Sequence, residues 1–278
     1  MEREGTAVDK PPTIYREYSI EDHFGRLYLA DVCDLLGSLE DESVGLIFLD
    51  PPFNLAKPYS EDNPKMDHRD PKDYESWMKR ILDKCVSLLS PGGALYLYHL
   101  PEWGIRLGAH LDKELVLRHW IAISMKNGFV RGDYLYPAHY ALLYFTKGKP
   151  VTFNRPRIEP ALCRKCGNTI KDYGGYKSII DDKGLNLSDF WEDLSPVRHS
   201  NRKLRSQNQL PLTMLQRVVQ ISGTQDMTFL DPFAGTGTGV VAAVQQGMNF
   251  IAGDSVEANC RIIDRRLEEF LGQQGDES

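Results

Sequence analysis

The run Val44-Gly45-Leu46-Ile47-Phe48-Leu49 is almost unbroken apolar and stops on Asp50. That is the pattern of a parallel strand buried on both faces. A polar, proline-containing stretch from Asn54 to Arg69 follows and predicts a loop beyond the strand's carboxyl end. Asp70-Pro71 then supplies an N-cap and a first-turn proline. Behind it Tyr74, Trp77, Met78, Ile81, Leu82, Cys85 and Leu88 recur at helical spacing, so one helical face is apolar. Gly92-Gly93 is the expected stop for that helix, with further strands over Ala94–His99, Trp120–Ser124 and Tyr140–Phe145.

From Lys147 to Arg205 the apolar periodicity lapses, and glycine and asparagine become frequent. Regular patterning returns with a helix on Leu212, Leu215, Val218 and Val219, a strand Thr228-Phe229-Leu230, a glycine-rich turn and a helix through Val240–Val244. A strand at Phe250-Ile251-Ala252 and a helix on Val256, Cys260, Ile263, Leu267 and Phe270 complete the pattern. Alternating strands and helices on both sides of the irregular segment predict one mostly parallel α/β sheet with helices on both faces, interrupted by an insert. The division expected is a loose tail over 1–20, one half of the domain over 21–146, the insert over 147–206, the second half over 207–271 and a loose tail over 272–278.

Composition changes this picture little: 278 residues, 41% hydrophobic and 26% charged, exclude a disordered chain, a fibrous repeat and a stapled mini-protein. No apolar stretch approaches the roughly 18 residues of a membrane span, and Met1-Glu2-Arg3-Glu4 is charged where a signal peptide turns apolar, so a cytoplasmic protein with no membrane contact is expected. Charge adds more. The net value is -6, yet residues 147–206 carry 13 Lys and Arg against 7 Asp and Glu. A basic module inside an acidic body fits contact with phosphates, although a solvated loop gives the same count. Arg198, His199, Arg202, Lys203 and Arg205 form its densest cluster, with Tyr176 and Trp191 interleaved.

Five cysteines do not make a disulfide framework. Cys163-Arg164-Lys165-Cys166 has the spacing of a zinc half-site with His199 as a third ligand nearby, but a closed tetrahedral site needs four ligands. A reduced pair or a site completed across a dimer competes, and no metal is assigned.

Two motifs carry the chemistry. Asp231-Pro232-Phe233-Ala234-Gly235-Thr236-Gly237-Thr238 lies between a predicted strand and a predicted helix, where open α/β sheets bind nucleotide-like ligands. It lacks both the Gly-x-Gly-x-x-Gly of dinucleotide sites and the Gly-Lys-Ser/Thr of a P-loop. Gly235 and Gly237 allow close approach of a ligand without a long phosphate chain, and Asp254, at the end of the next strand, is placed to accept hydrogen bonds from ribose hydroxyls. An adenosine-type ligand is implied. The second motif, Asp50-Pro51-Pro52-Phe53, ends the other buried strand. Its prolines fix φ and remove two backbone donors. What remains is a stiff set of acceptors: Asp50 and a nearby carbonyl for the two protons of one amino group, beside Phe53 as a flat face for a heterocycle.

Together these residues resemble the amino-directed DNA methyltransferases that use S-adenosylmethionine. The order of catalytic motif, recognition region and cofactor motif is similar to their permuted β group. The resemblance implies a Rossmann-like fold with circularly permuted motifs, Asp50, Pro51, Pro52 and Phe53 as the catalytic tetrad, and Asp231, Pro232, Phe233, Ala234, Gly235, Thr236, Gly237, Thr238 and Asp254 around the cofactor. Leu29-Ala30-Asp31 resembles the stretch whose acid lies near the cofactor's adenine, with Ala30 in place of the more usual glycine. Asn208-Gln209-Leu210-Pro211 resembles the segment at the cofactor's methionine end, and Pro137-Ala138-His139 to Gly148 matches a further family segment. The insert then corresponds to the target-recognition region, with Arg198, Arg202, Lys203 and Arg205 on double-stranded DNA. Site-specific, in-line methylation of adenine N6 on a flipped base is the activity implied, because Asp opens the tetrad and Phe closes it; cytosine N4 is the runner-up. An RNA or protein-amide methyltransferase and a silent DNA-binding module are the remaining alternatives. Partners implied are a cognate restriction endonuclease and a second copy of the chain, with the protein held at the nucleoid through DNA.

Overall fold

The computed structural model describes residues 11–20, 22–55, 69–124, 132–133, 135–159, 174–175, 177–194 and 209–275. In chain order these form β1 (Thr13–Ile20), β2 (His23–Leu29), α1 (Val32–Gly37), β3 (Val44–Leu49), α2 (Pro71–Leu88), β4 (Leu89–His99), α3 (Pro101–Leu111), β5 (Val116–Ser124) and β6 (His139–Thr146). The short pieces β7 (Arg157–Ile158), α4 (Lys177–Lys183), β8 (Leu185–Asn186) and β9 (Phe190–Trp191) follow. The chain then closes with α5 (Leu212–Ser222), β10 (Thr228–Asp231), α6 (Thr238–Gln245), β11 (Asn249–Asp254) and α7 (Glu257–Gly275). No helix among the described residues is long and apolar enough to cross a membrane.

Nine strands form one sheet in the order β1-β2-β11-β10-β3-β4-β6-β5-β9. The five from β2 to β4 run parallel, and β1, β6 and β5 pair antiparallel on the flanks. Alternation along β3 explains its unbroken apolar run. Leu46 and Phe48 enter one core with Met214 and Val218 of α5, Val240 of α6 and Ile263 of α7. Ile47 and Leu49 enter the other, with Leu35 of α1, Met78 of α2 and Leu107 of α3. A strand covered on both faces has no polar side.

From the central pair β10 and β3 the chain winds outward in opposite directions, through α6 to β11 and through α2 to β4, with the two helices on opposite faces. This is a topological switch point, where the carboxyl ends of neighbouring strands leave a crevice.

Three expectations change. Residues 13–20 are not tail but strand β1, antiparallel to β2, with Tyr18 buried and Arg16 bridged to Asp264 and Glu268 of α7. Residues 272–275 continue α7 rather than fraying from it. Helix α2 ends at Leu88, before Gly92-Gly93, because Pro91 disfavours helix at the residue ahead of it and the chain passes directly into β4. The glycines serve the sheet instead: a Cβ on Gly93 would stand 2.9 Å from the Gly45 carbonyl of the neighbouring strand. The insert contributes a strand to the sheet. Its β9 pairs parallel with β5, Trp191 is fully buried, and Arg217 of α5 pairs with Asp193 while lying over the Trp191 ring at 5.3 Å.

Candidate active site

Register at the switch point brings the two motifs side by side. Phe229 and Leu230 of β10 pair with Leu46 and Ile47 of β3, so the glycine turn and the tetrad leave adjacent strands at the same edge. Beyond β10, Asp231 pairs with Ala252 of β11, which carries Asp254 two residues further on, and Asp254 in turn pairs with Leu29 at the end of β2. Asp31, Asp254, Asp231 and Asp50 therefore line one edge, from four successive strands.

The turn from Asp231 to Thr238 is buried except for half-buried Phe233. Gly235 and Gly237 both have positive φ, at 54° and 73°, and Gly237 is the N-cap of α6. Its Cα faces α7 so closely that a Cβ would stand 2.8 Å from Ile263 Cγ1. The Ala234 N–H donates to the Gly253 carbonyl (3.0 Å) and the Gly237 N–H to the Ala234 carbonyl (2.7 Å). Arg266 of α7 donates to the Thr236 carbonyl from behind.

Asp254 accepts from the Gly235 N–H at 3.0 Å, the Val256 N–H at 2.8 Å and Asn259 Nδ2 at 3.0 Å. It is thus a brace for the turn, a function its position in the sequence does not signal. Asp231 is 4% exposed, with its Oδ1 accepting from the Phe233 N–H at 3.3 Å. Burial, and next the charge of Asp50, hold this carboxyl well above the usual carboxylate range. Asp31 is exposed and N-caps α1 by accepting from the Cys33 N–H at 2.8 Å.

The tetrad is anchored differently. Pro51 is buried and Pro52 half-buried, and Phe53 is only 5% exposed, which differs from the open stacking face its sequence suggests. Its ring has closed onto an aromatic cluster: His99 lies 4.8 Å away and nearly parallel, and Tyr98 and Tyr140 are each 5.8 Å away. Burial first, and then the negative charge of Asp50, raise the phenols of Tyr98 and Tyr140 above their ordinary value, which puts both tyrosines in the electrostatic neighbourhood of that carboxylate. Tyr74 of α2 donates to the Pro52 carbonyl at 2.6 Å and meets His99 Nε2 at 2.7 Å.

Just past the tetrad, Asn54 at φ 57° clasps Arg69 twice, through Nδ2 to the Arg69 carbonyl (3.0 Å) and Oδ1 from the Arg69 N–H (2.8 Å). That clasp joins residues on either side of positions 56–68, which lie outside the described residues. Arg69 in turn lies over Trp77 at 4.6 Å, and Trp77 meets Phe233 of the glycine turn edge-on at 6.1 Å. Helix α2 therefore touches both motifs, through Tyr74 and Trp77, one turn apart.

The structure brings Asp50, Asp231 and Asp254 to one edge, as the two motifs lead one to expect, and adds Tyr74, Tyr98, His99 and Tyr140, which the sequence does not mark as neighbours of the tetrad. The signal for His99 was available, a histidine at the carboxyl end of a buried strand beside β3. Arg198, Arg202, Lys203, Arg205, Asn208, Tyr176 and the Cys163, Cys166 and His199 set lie outside the described residues, whereas Gln209 is half-buried just ahead of α5. Among the described residues no group of three or more His, Cys, Asp or Glu could hold a metal ion.

Type II methyltransferase M.BamHI of Bacillus amyloliquefaciens is 42% identical over 245 residues, covering 88% of this chain; the chain spans 57% of that relative's length. Among solved structures, the cytosine-N4-specific PvuII DNA methyltransferase superposes with a TM-score of 0.62 at 14% identity, covering 85% of either chain. The M1.HpyAVI–SAM complex gives 0.59 at 17%, covering 87% of this chain and 98% of the other, so both share the fold. A family model described as DNA methylase, for N6 and N4 enzymes, matches residues 44–265, which run from the first residue of β3 into α7. The chain belongs to the N6/N4 DNA methylase family.

Proposed function

We propose that this protein transfers a methyl group from S-adenosylmethionine to the exocyclic amine of a base in double-stranded DNA, at a defined sequence. The observation that carries the reading is the meeting of tetrad and glycine turn across the β10–β3 switch point, which sets the Asp50 carboxylate beside the crevice at the strands' carboxyl ends. The donor set suits this ligand. Asp50, Asp231 and Asp254 gather at one edge, and burial first, then the charge of Asp50 and less that of Asp254, raise the cost of ionising Asp231. A cation relieves that cost, and the sulfonium and ammonium groups of S-adenosylmethionine are cations. The SAM complex of M1.HpyAVI, on the same fold, agrees with it. Asp254 and Asp31 face the ribose and adenine in this reading, the buried turn from Asp231 to Thr238 excludes water, and Asn208 and Gln209 serve the methionine end.

When bound, S-adenosylmethionine supplies an electrophilic methyl group. An aromatic amine is a poor nucleophile because its lone pair is delocalised, and within a duplex it is out of reach, so the base must leave the stack. Asp50 and the Pro51 carbonyl accept the two amino protons, favouring a pyramidal nitrogen whose lone pair is aimed along the transfer axis. The Pro52 carbonyl is engaged by Tyr74, which is why Pro51 is the better second acceptor. Asp50 then takes or relays the proton that the methylated nitrogen sheds. The insert, with Arg198, Arg202, Lys203 and Arg205, contacts the DNA backbone. Neutralising Lys203 and Arg205 should flatten the salt dependence of DNA binding by about one unit of slope for each phosphate that is no longer neutralised.

Adenine N6 is the first reading for the target, on the Asp that opens the tetrad. Cytosine N4 is the second, because an acceptor pair that reads two N–H groups and nothing else of the base fits either amine. Digesting methylated DNA to nucleosides and weighing the products separates N6-methyladenine from N4-methylcytosine. Absence of both would overturn the proposal.

A further inference from the structure

We infer that His99 and Tyr74 are positioning residues that hold the Asp50–Phe53 tetrad in register, through a one-directional hydrogen-bond chain from the imidazole to the Pro52 carbonyl. The inference rests on the proposed amine methylation for what the tetrad does, but not for the chain itself.

The direction of the chain is fixed by backbone chemistry. The Leu100 N–H donates to His99 Nδ1 at 2.7 Å, so Nδ1 is an acceptor and carries no proton. The ring is fully buried, and burial pushes its pKa down to about 3, so it is neutral and its one proton sits on Nε2. Nε2 then donates to Tyr74 Oη (2.7 Å), which leaves the phenolic proton for the Pro52 carbonyl (2.6 Å). A protonated ring, or the other neutral tautomer, would set two protons against each other at one of these contacts.

The tetrad needs such support. Pro51 and Pro52 have no N–H, so this segment cannot tie itself down with its own donors at those positions. Because the peptide unit is planar, holding the Pro52 carbonyl also orients the amide nitrogen of Phe53. The other end of that residue is held by the same histidine, whose ring stacks on the Phe53 ring at 4.8 Å and 25°. One buried side chain thus governs two of the four tetrad residues without reaching the reacting atoms. Tyr74 and His99 come from α2 and β4, so the support assembles only once the helix has packed on the sheet.

Single-turnover methyl transfer at saturating S-adenosylmethionine and duplex DNA tests the function, with Tyr74→Phe, His99→Phe, their double mutant and His99→Gln. Each single phenylalanine variant should lose about 10- to 100-fold in rate, the scale of a small misplacement, while cofactor affinity by calorimetry stays within about two-fold. The double mutant should be no slower than either single, because both break one chain, and His99→Gln, which can still donate and accept, should recover part of the rate. Unchanged rates, additive losses, or a loss confined to weaker cofactor binding or a lower Tm would overturn positioning. Nitrogen NMR of histidine-labelled protein tests the chain independently of turnover: His99 should show a protonated Nε2 and a bare Nδ1 at neutral pH. The opposite tautomer, or an imidazolium, overturns the inference even in an active enzyme. The expected tautomer in a wild type that methylates neither base would leave the chain standing and remove the proposed activity.

Discussion

The two halves of the site sit on neighbouring strands and are held by opposite means. The glycine turn is fixed largely by its own backbone: the N–H groups of Phe233, Ala234, Gly235 and Gly237 all find partners within the turn or on β11, the next strand of the same unit. The tetrad has two prolines where such donors would be, and its Pro52 carbonyl is caught by a side chain from α2 that is itself set by a histidine on β4. A turn with N–H groups of its own is held by acceptors within it and on the adjoining strand. A turn whose prolines remove those donors is held through a side chain from another element, and it is the one that carries the proposed chemistry.

The sharpest way to break that comparison is Asp50→Ala, because it removes the tetrad's charge while Asp231 and Asp254 keep the backbone N–H groups that they hold in the glycine turn. Methyl transfer, followed with labelled cofactor, should fall by at least about 10³-fold, at the upper end of what one preorganised electrostatic contact contributes. Calorimetry should find cofactor affinity nearly unchanged. Turnover within a few-fold of wild type would place the amine elsewhere.

That asymmetry also decided what could be read in advance. All seven apolar positions assigned to the face of α2 are buried, and the strand ending on Asp50 lies at the centre of the sheet, because helical and strand periodicities are local. Strand β1 escaped although its partner β2 is next in sequence, because it lies at the sheet's edge with only Tyr18 and Ile20 buried, too few apolar positions to show a period. Helix α1, six residues long, and the two-residue β9 are too short to show a period. In the site, carboxylates at strand ends announced themselves by position. Tyr74 did not, since an aromatic on an apolar helix face reads as core until the fold puts its hydroxyl 2.6 Å from the Pro52 carbonyl.

Two substitutions probe how far the glycine turn specifies itself. Gly237→Ala should destabilise the fold by about 2 to 4 kcal/mol in urea denaturation, the left-handed backbone and an overpacked contact adding together. The φ of 73° and the 2.8 Å approach to Ile263 are the reasons. A loss below about 0.5 kcal/mol, within the range of an indifferent surface change, would mean that α7 yields easily. Asp254→Ala comes next, weakening cofactor binding by about 1 to 3 kcal/mol because the ribose hydroxyls no longer find an acceptor. It should also lower Tm, because the Gly235 N–H loses its acceptor. A lower Tm with equal affinity would make Asp254 a brace alone.

The smallest effect separates the two halves by the sign of their response to pH. Burial holds His99 at a pKa of about 3, below the ordinary 6.5, so between those values the unfolded chain takes up a proton that the native ring refuses, and stability falls as pH falls. Asp231 is the reverse. Its native pKa lies above the ordinary 3.8, so in the window above that value the native protein keeps a proton that the unfolded chain has lost, and stability falls as pH rises. Each contribution has a limiting slope of about 1.4 kcal/mol per pH unit, and where the windows overlap the two cancel, leaving the wild type with little slope from this site. Single variants expose them. In urea denaturation between pH 4 and 6, within roughly the ordinary carboxylate-to-histidine range, Asp231→Asn should leave a protein that grows more stable as pH rises, and His99→Gln one that grows less stable. Slopes of the same sign in the two variants would show that one of these groups is not held as its burial implies.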